Sequence, residues 1–196
     1  DPLASRAEPT IGACDHNGMT LKDQTVTLKP GVYCGGVRIS GNGDVKLEPG
    51  VYIIADGALW VDGDAELSGD DVSFFLGPKA FLYFGPSTSI ELSASKTGPL
   101  AGLLLFGSRK QSKILTHTIL SKSAQNLVGT IYLPQNSFIV DGDAAVGGES
   151  AYTAIVARRL VLLNGPNLVL NSNYGLTDVP VPEGIRGAAQ PISLVK

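Results

Sequence analysis

Leu28-Lys29-Pro30-Gly31-Val32-Tyr33 returns, with Leu28 replaced by Leu47 as its first residue, as Leu47-Glu48-Pro49-Gly50-Val51-Tyr52. Each copy sets a Pro-Gly turn before a run of Val, Tyr and Ile, residues that favour strands. A whole-segment repeat of this length marks stacked supersecondary units, each too small to bury its own apolar face. The pattern continues with drift through Leu59-Trp60-Val61, Val72 to Leu76, Phe81 to Phe84 and Ser89 to Leu92. Turns fall at Asp62-Gly63-Asp64, Ser68-Gly69-Asp70-Asp71, Gly77-Pro78 and Gly85-Pro86. A longer echo pairs Val61-Asp62-Gly63-Asp64-Ala65 with Val140-Asp141-Gly142-Asp143-Ala144. Further strand-like segments are 101–106, 128–133, 151–156 and 168–170.

No stretch combines 3.6-residue periodicity with helix caps. Residues 114–126 come nearest, and Thr116, Thr118 and Ser121 weaken even that reading. The chain is therefore all-β. Coils of about 19–22 residues, each with two or three short strands, describe a single-stranded parallel β-helix, a right-handed β-solenoid. A sandwich or jelly roll would instead show hairpin turns without repeating a whole segment. The expected organisation is an N-terminal cap over 1–26, the solenoid over 27–170, and a proline-bearing tail or cap over 171–196 packing on its side. Val32 and Val51 are expected to stack in adjacent coils.

The 196 residues suit one domain with a sizeable core. An apolar share of 43% excludes a disordered chain. A net charge of −3 with no basic stripe argues against nucleic acid or an anionic membrane surface as partner. No apolar run approaches the roughly 18 residues of a membrane helix. The chain opens on Asp1-Pro2 without a signal peptide, and is read as a piece with residues missing upstream. The two cysteines, Cys14 and Cys34, are read as one disulfide. Closing that loop would stabilise by roughly 3 kcal/mol and would imply an oxidising compartment. The alternative is two free thiols in a reducing one.

β-Helices host pectinases and polysaccharide lyases, so catalysis must be weighed. Glycoside hydrolysis needs two carboxylates on one cleft. Gly69-Asp70-Asp71 matches one piece of the polygalacturonase signature, but its Asn-Thr-Asp, Gly-His-Gly and Arg-Ile-Lys pieces do not occur. Asp70 and Asp71 are accordingly read as a solvated turn. Asp62, Asp64, Asp141 and Asp143 sit in Asp-Gly-Asp turns, where carboxylates around glycine can bind calcium. The calcium nonapeptide of toxin-type β-rolls is absent, and these too are read as plain turns. No nucleophile elbow, phosphate loop or dinucleotide fingerprint is present. His117, between Thr116 and Thr118, is read as an exposed loop residue; His16 is the other histidine. Lys110, Lys113 and Lys122 read as a solvated basic face. Isolated Thr25-Val26-Thr27 and Thr116-His117-Thr118 do not make the ranked threonines of ice-binding β-helices. No catalytic residue, metal or cofactor is expected.

Residues 30–36 and 49–57 together resemble the C-terminal domain of TadG-like proteins of bacterial tight-adherence (Flp) pilus assembly. Gly98-Pro99-Leu100-Ala101-Gly102-Leu103-Leu104, Gly129-Thr130-Ile131-Tyr132-Leu133-Pro134, Ala151-Tyr152-Thr153-Ala154-Ile155-Val156-Ala157 and Asp178-Val179-Pro180-Val181-Pro182 extend the likeness over roughly residues 10–195. The resemblance implies a non-enzymatic module, periplasmic or at the cell surface, anchored by an upstream membrane helix. Its partners would be other pilus-assembly or envelope proteins. It brings no catalytic residues. The competing expectation is a carbohydrate-binding or carbohydrate-cleaving β-helix, distinguished by a groove where acidic and basic side chains converge.

Overall fold

A computed structural model describes residues 1–111 and 113–185. Its strands are β1 (His16–Lys22), β2 (Thr25–Leu28), β3 (Gly31–Ser40), β4 (Asp44–Leu47), β5 (Gly50–Val61), β6 (Glu66–Phe84), β7 (Ser89–Ala94), β8 (Leu103–Gly107), β9 (Thr116–Ile119), β10 (Ser123–Asp141), β11 (Ala145–Val146), β12 (Thr153–Leu163) and β13 (Asn167–Leu168). Neighbouring strands pair in parallel, coil upon coil. One inward column runs Leu21, Ile39, Val61, Phe84, Ile119, Val140, Leu162, one residue from each successive coil. The β-solenoid expected from the repeat is thus the fold.

Each coil has three faces. The first holds the starts of β3, β5 and β12, with β8, residues 72–76 of β6 and residues 129–133 of β10. The second holds the ends of β1, β3, β5, β6, β10 and β12, with β9. The third holds β2, β4, β7, β11, β13 and the starts of β6 and β10. Alternation along each face sends every second side chain into the column.

The Leu-x-Pro-Gly-Val-Tyr repeat has a local cause. Pro-Gly turns the chain from the third face to the first, and the tyrosine two residues on points inward. The Tyr33 hydroxyl donates to the Lys29 carbonyl at 2.6 Å, and the Tyr52 hydroxyl lies 2.8 Å from that of Glu48. Each ring satisfies a carbonyl just before its own turn, and the two rings stack 6.0 Å apart. Burial pushes both phenols above their ordinary pKa, Tyr52 the further.

Register corrects one expectation. Leu28 pairs with Leu47, as the repeat requires, but Val32 pairs with Ile53 and not with Val51. The step then lengthens and settles, as in Ile39 with Val61 and Leu47 with Gly69. A slip of two residues keeps the same side chains inward, so the motif survives a change of coil length. Left-handed residues stack at the corner between second and third faces: Asp23 (φ 53°), Gly41 (67°) and Gly63 (71°). A Cβ at Gly63 would stand 2.8 Å from the Gly41 backbone.

The fifth coil is longer. Ser89 pairs with Ser123, well beyond the settled step, because loops 95–102 and 108–115 leave the coil. These loops help build a second core on the outside of the first face. There Val32, Ile53, Phe75, Phe106, Tyr132 and Val156 form an outward column. Leu3, Leu100, Leu103 and Ile185 cover it.

The N-terminal segment divides differently from the expected 1–26 cap. His16 onward is already coil, since Met19, Leu21, Val26 and Leu28 alternate inward. Residues 1–9 lie along the side of the solenoid. Arg109 holds them by donating to the Leu3 and Ala4 carbonyls, each at 2.9 Å, to Arg6 and to Glu8. Cys14 and Cys34 are bridged, with Cα atoms 5.7 Å apart. The described part of the tail, 171–185, packs on the last coils through Val179 and a Tyr152–Ser172 bridge. The rest of that expected tail lies outside the described residues.

Candidate functional site

A polar concavity lies on the third face, where parallel pairing brings Lys46, Ser68, Glu91 and Asn126 into one outward row. With Asp70 and Ser93 they line a cleft of about 480 Å³. Gly69-Asp70-Asp71, singled out from the sequence, turns the chain at its edge. Asp71 takes φ 59°, a left-handed conformation that aspartate tolerates.

The carboxylates are engaged. Asp70 accepts from the Ser93 hydroxyl and from Lys96 Nζ at 3.1 Å, and Lys96 reaches Asp178 at 3.2 Å. The Ser93 hydrogen bond holds the Asp70 carboxyl below its ordinary pKa. Asp71 accepts from the Lys96 backbone N–H at 2.6 Å, and Glu91 from Asn126 Nδ2 at 3.2 Å. A carboxylate held ionised is a poor general acid, whereas glycoside cleavage needs one with a raised pKa. The cleft instead combines donors (Lys46, Ser68, Asn126) with acceptors (Glu91, Asp70), which suits hydrogen bonding along an extended polar partner.

The second face carries an aromatic ladder. Trp60 and Tyr83 stack at 3.9 Å, and the Arg38 guanidinium lies 5.4 Å from the Trp60 ring on the adjoining rung. Asp62 Oδ2 accepts from Arg38 and from Trp60 Nε1, each at 2.6 Å. Arg38 and Tyr83 flank the indole along this ladder, so Trp60 offers little ring face to a sugar.

The remaining sequence candidates are scattered. Asp141 accepts from Gly142 N–H at 2.6 Å and from Asn164 Nδ2 at 2.7 Å, and Asp143 pairs with Lys122 at 3.1 Å. Among the described residues no group of three or more His, Cys, Asp or Glu could hold a metal ion. Lys110 and Lys113 are exposed. His16 stacks on Tyr33 at 4.7 Å.

His117 overturns its reading as an exposed loop residue. It is fully buried in β9, where Nδ1 accepts the Leu82 N–H at 3.2 Å. Nε2 therefore carries the proton, and it finds no partner among the described residues. Burial pushes the imidazole pKa down to about 4, so the ring is neutral at pH 7. Its signal is the alternation Thr116-His117-Thr118-Ile119, which puts His117 on the same side as Ile119. Among the described residues no helix is long and apolar enough to cross a membrane. No protein-family model, no curated protein and no solved structure matches the chain.

Proposed function

We propose that this chain is a non-enzymatic envelope module that supports tight-adherence pilus assembly or surface adhesion through protein–protein contacts. The observation that carries the reading is the third-face cleft, whose donors and acceptors stand in one rigid row across four coils. Such a row needs no rearrangement to receive an extended segment, so little ordering entropy opposes binding. The Cys14–Cys34 bridge supports a periplasmic or cell-surface location. The resemblance of 30–36 and 49–57 to TadG-like proteins supports the choice of partner class.

The test is a chromosomal Ser68→Arg/Asn126→Arg variant, compared with Tyr83→Ala on another face, in a strain scored for pilus number and adhesion. The groove variant should lose adhesion at an unchanged protein level, and the control should keep it. Normal adhesion in the groove variant would refute the proposal. A second reading, a carbohydrate-binding module, draws on the same hydrogen-bonding row. It requires purified protein to retain an acidic or neutral polysaccharide, with retention lost in the groove variant. Polymer cleavage lost in Asp70→Ala would make the chain an enzyme.

A further inference from the structure

The two ends of the solenoid differ. In the inward column, Leu21 in the first coil is 8% exposed and Val140 in the sixth 0%, but Leu162 in the last is 51% exposed. Beside it Leu160 is 42% exposed, although its partner in the preceding coil, Phe138, is fully buried. Leu163, Leu170 and Leu176 add to the same end. Among the described residues the other exposed large hydrophobics are Ile11 and Ile114. The edge is open as well, since β12 pairs only with β10 among the described residues. A bare apolar column beside an unpaired strand edge templates association.

We propose that the last coil is a self-association surface, on which a second copy of this chain docks end to end about a twofold axis. The first coil offers no match to the exposed leucines, because its own Leu21 and Leu28 are buried. A head-to-tail stack would leave apolar side chains against a polar end. The matching surface is the same end of another copy, the self-complementary arrangement commonest among homo-oligomers. Antiparallel pairing of 159–163 centred on Val161 sets Leu160 of each copy against Leu162 of the other. It also keeps Arg159 of one copy opposite Leu163 of the other, so the arginines do not meet directly.

Size and charge fix how strong the contact is. Five-residue strands give the triangular end a side of roughly 16 Å and hence a cross-section of roughly 110 Å². That area is well short of the about 800 Å² per partner of a standard interface. The dimer is therefore weak, with Kd on the order of micromolar. Arg158 and Arg159 are exposed on the strand, and residues 150–177 contain no carboxylate to balance them. Two copies bring both pairs of arginines near one another, so added salt should tighten the dimer.

Sedimentation equilibrium of the full chain from about 1 to 300 μM, at low and high salt, reads the association. A monomer–dimer equilibrium that tightens with salt is expected. Leu160→Glu/Leu162→Glu should weaken it at least tenfold with an unchanged circular dichroism spectrum. Val161→Cys, an outward-facing change on the same strand that the twofold axis sets opposite its own copy, should form cross-linked dimers under oxidation even if the double variant folds poorly. A monomer throughout the range would overturn the proposal. So would open-ended polymers, or a dimer that tolerates both changes. A chain ending at residue 185 that dimerises where the full chain does not would also overturn it, because residues 186–196 would then be the cover.

Discussion

Lowering the pH from 7 to 4 should destabilise this solenoid from within, through His117. Above pH 6.5 the imidazole is neutral in both folded and unfolded chains, and it makes no pH-dependent contribution. Between 6.5 and about 4 the unfolded chain takes up a proton that the buried ring refuses. Stability therefore falls as pH falls, by up to about 1.4 kcal/mol per pH unit. Over the gap between 6.5 and about 4 this amounts to about 3 kcal/mol, levelling off below pH 4. For a domain of this size that is a Tm loss of roughly 6–12 °C. Carboxylates add their own acid sensitivity, but Asp70, with its pKa held down, loses its contribution only at lower pH. His117→Asn isolates the histidine, because the amide oxygen can still accept the Leu82 N–H and does not titrate. Urea melts at pH 7.5, 6, 5 and 4 should show the wild-type and variant stabilities converging as pH drops, with most of the change between 6.5 and 4. Parallel curves, or an NMR titration placing His117 near 6.5, would refute the buried, neutral imidazole.

Other outcomes follow from the same packing. The Cys14–Cys34 bridge should leave no titratable thiol in denaturing, non-reducing buffer, and reduction should cost roughly 3 kcal/mol in a chemical melt. Within the inward column, Phe84→Ala should cost about 3–5 kcal/mol, whereas Leu162→Ala at the bare end should cost far less than the about 2–5 kcal/mol of a buried leucine. Equal costs would contradict the asymmetry of the two ends. Arg109→Ala removes the donors that hold residues 1–9 against the first face. Amide exchange in 3–9 should accelerate while β5 and β6 stay protected, as a side strap requires and a cap over the first coil does not.

The solenoid is legible because one local device, a Pro-Gly turn followed by an inward tyrosine, must recur wherever a coil closes. Coil length is not, since a residue added at a corner or a bulge leaves the alternation along each face intact. Only the paired backbone reveals that Val32 lies beside Ile53. His117 escapes notice because its threonine neighbours are polar, yet polar neighbours are what alternation gives an inward residue. The second core is foreshadowed by Phe74-Phe75-Leu76 and Leu103 to Phe106. Runs without alternation are the mark of strands buried on both sides. The cleft row cannot be foreseen, because Lys46, Ser68, Glu91 and Asn126 share no motif and meet only once every coil length is fixed.

That meeting supports the proposed function, and paired cysteines test it most directly. Lys46→Cys with Ser68→Cys joins partners in the settled register, where neighbouring strands lie about 4.8 Å apart. Lys46→Cys with Ala65→Cys joins the residues that would meet if the Leu28-to-Leu47 spacing held in every coil. Mild oxidation followed by peptide mass spectrometry should find the 46–68 cross-link and not the 46–65 cross-link. The reverse result would break the row, and with it the cleft.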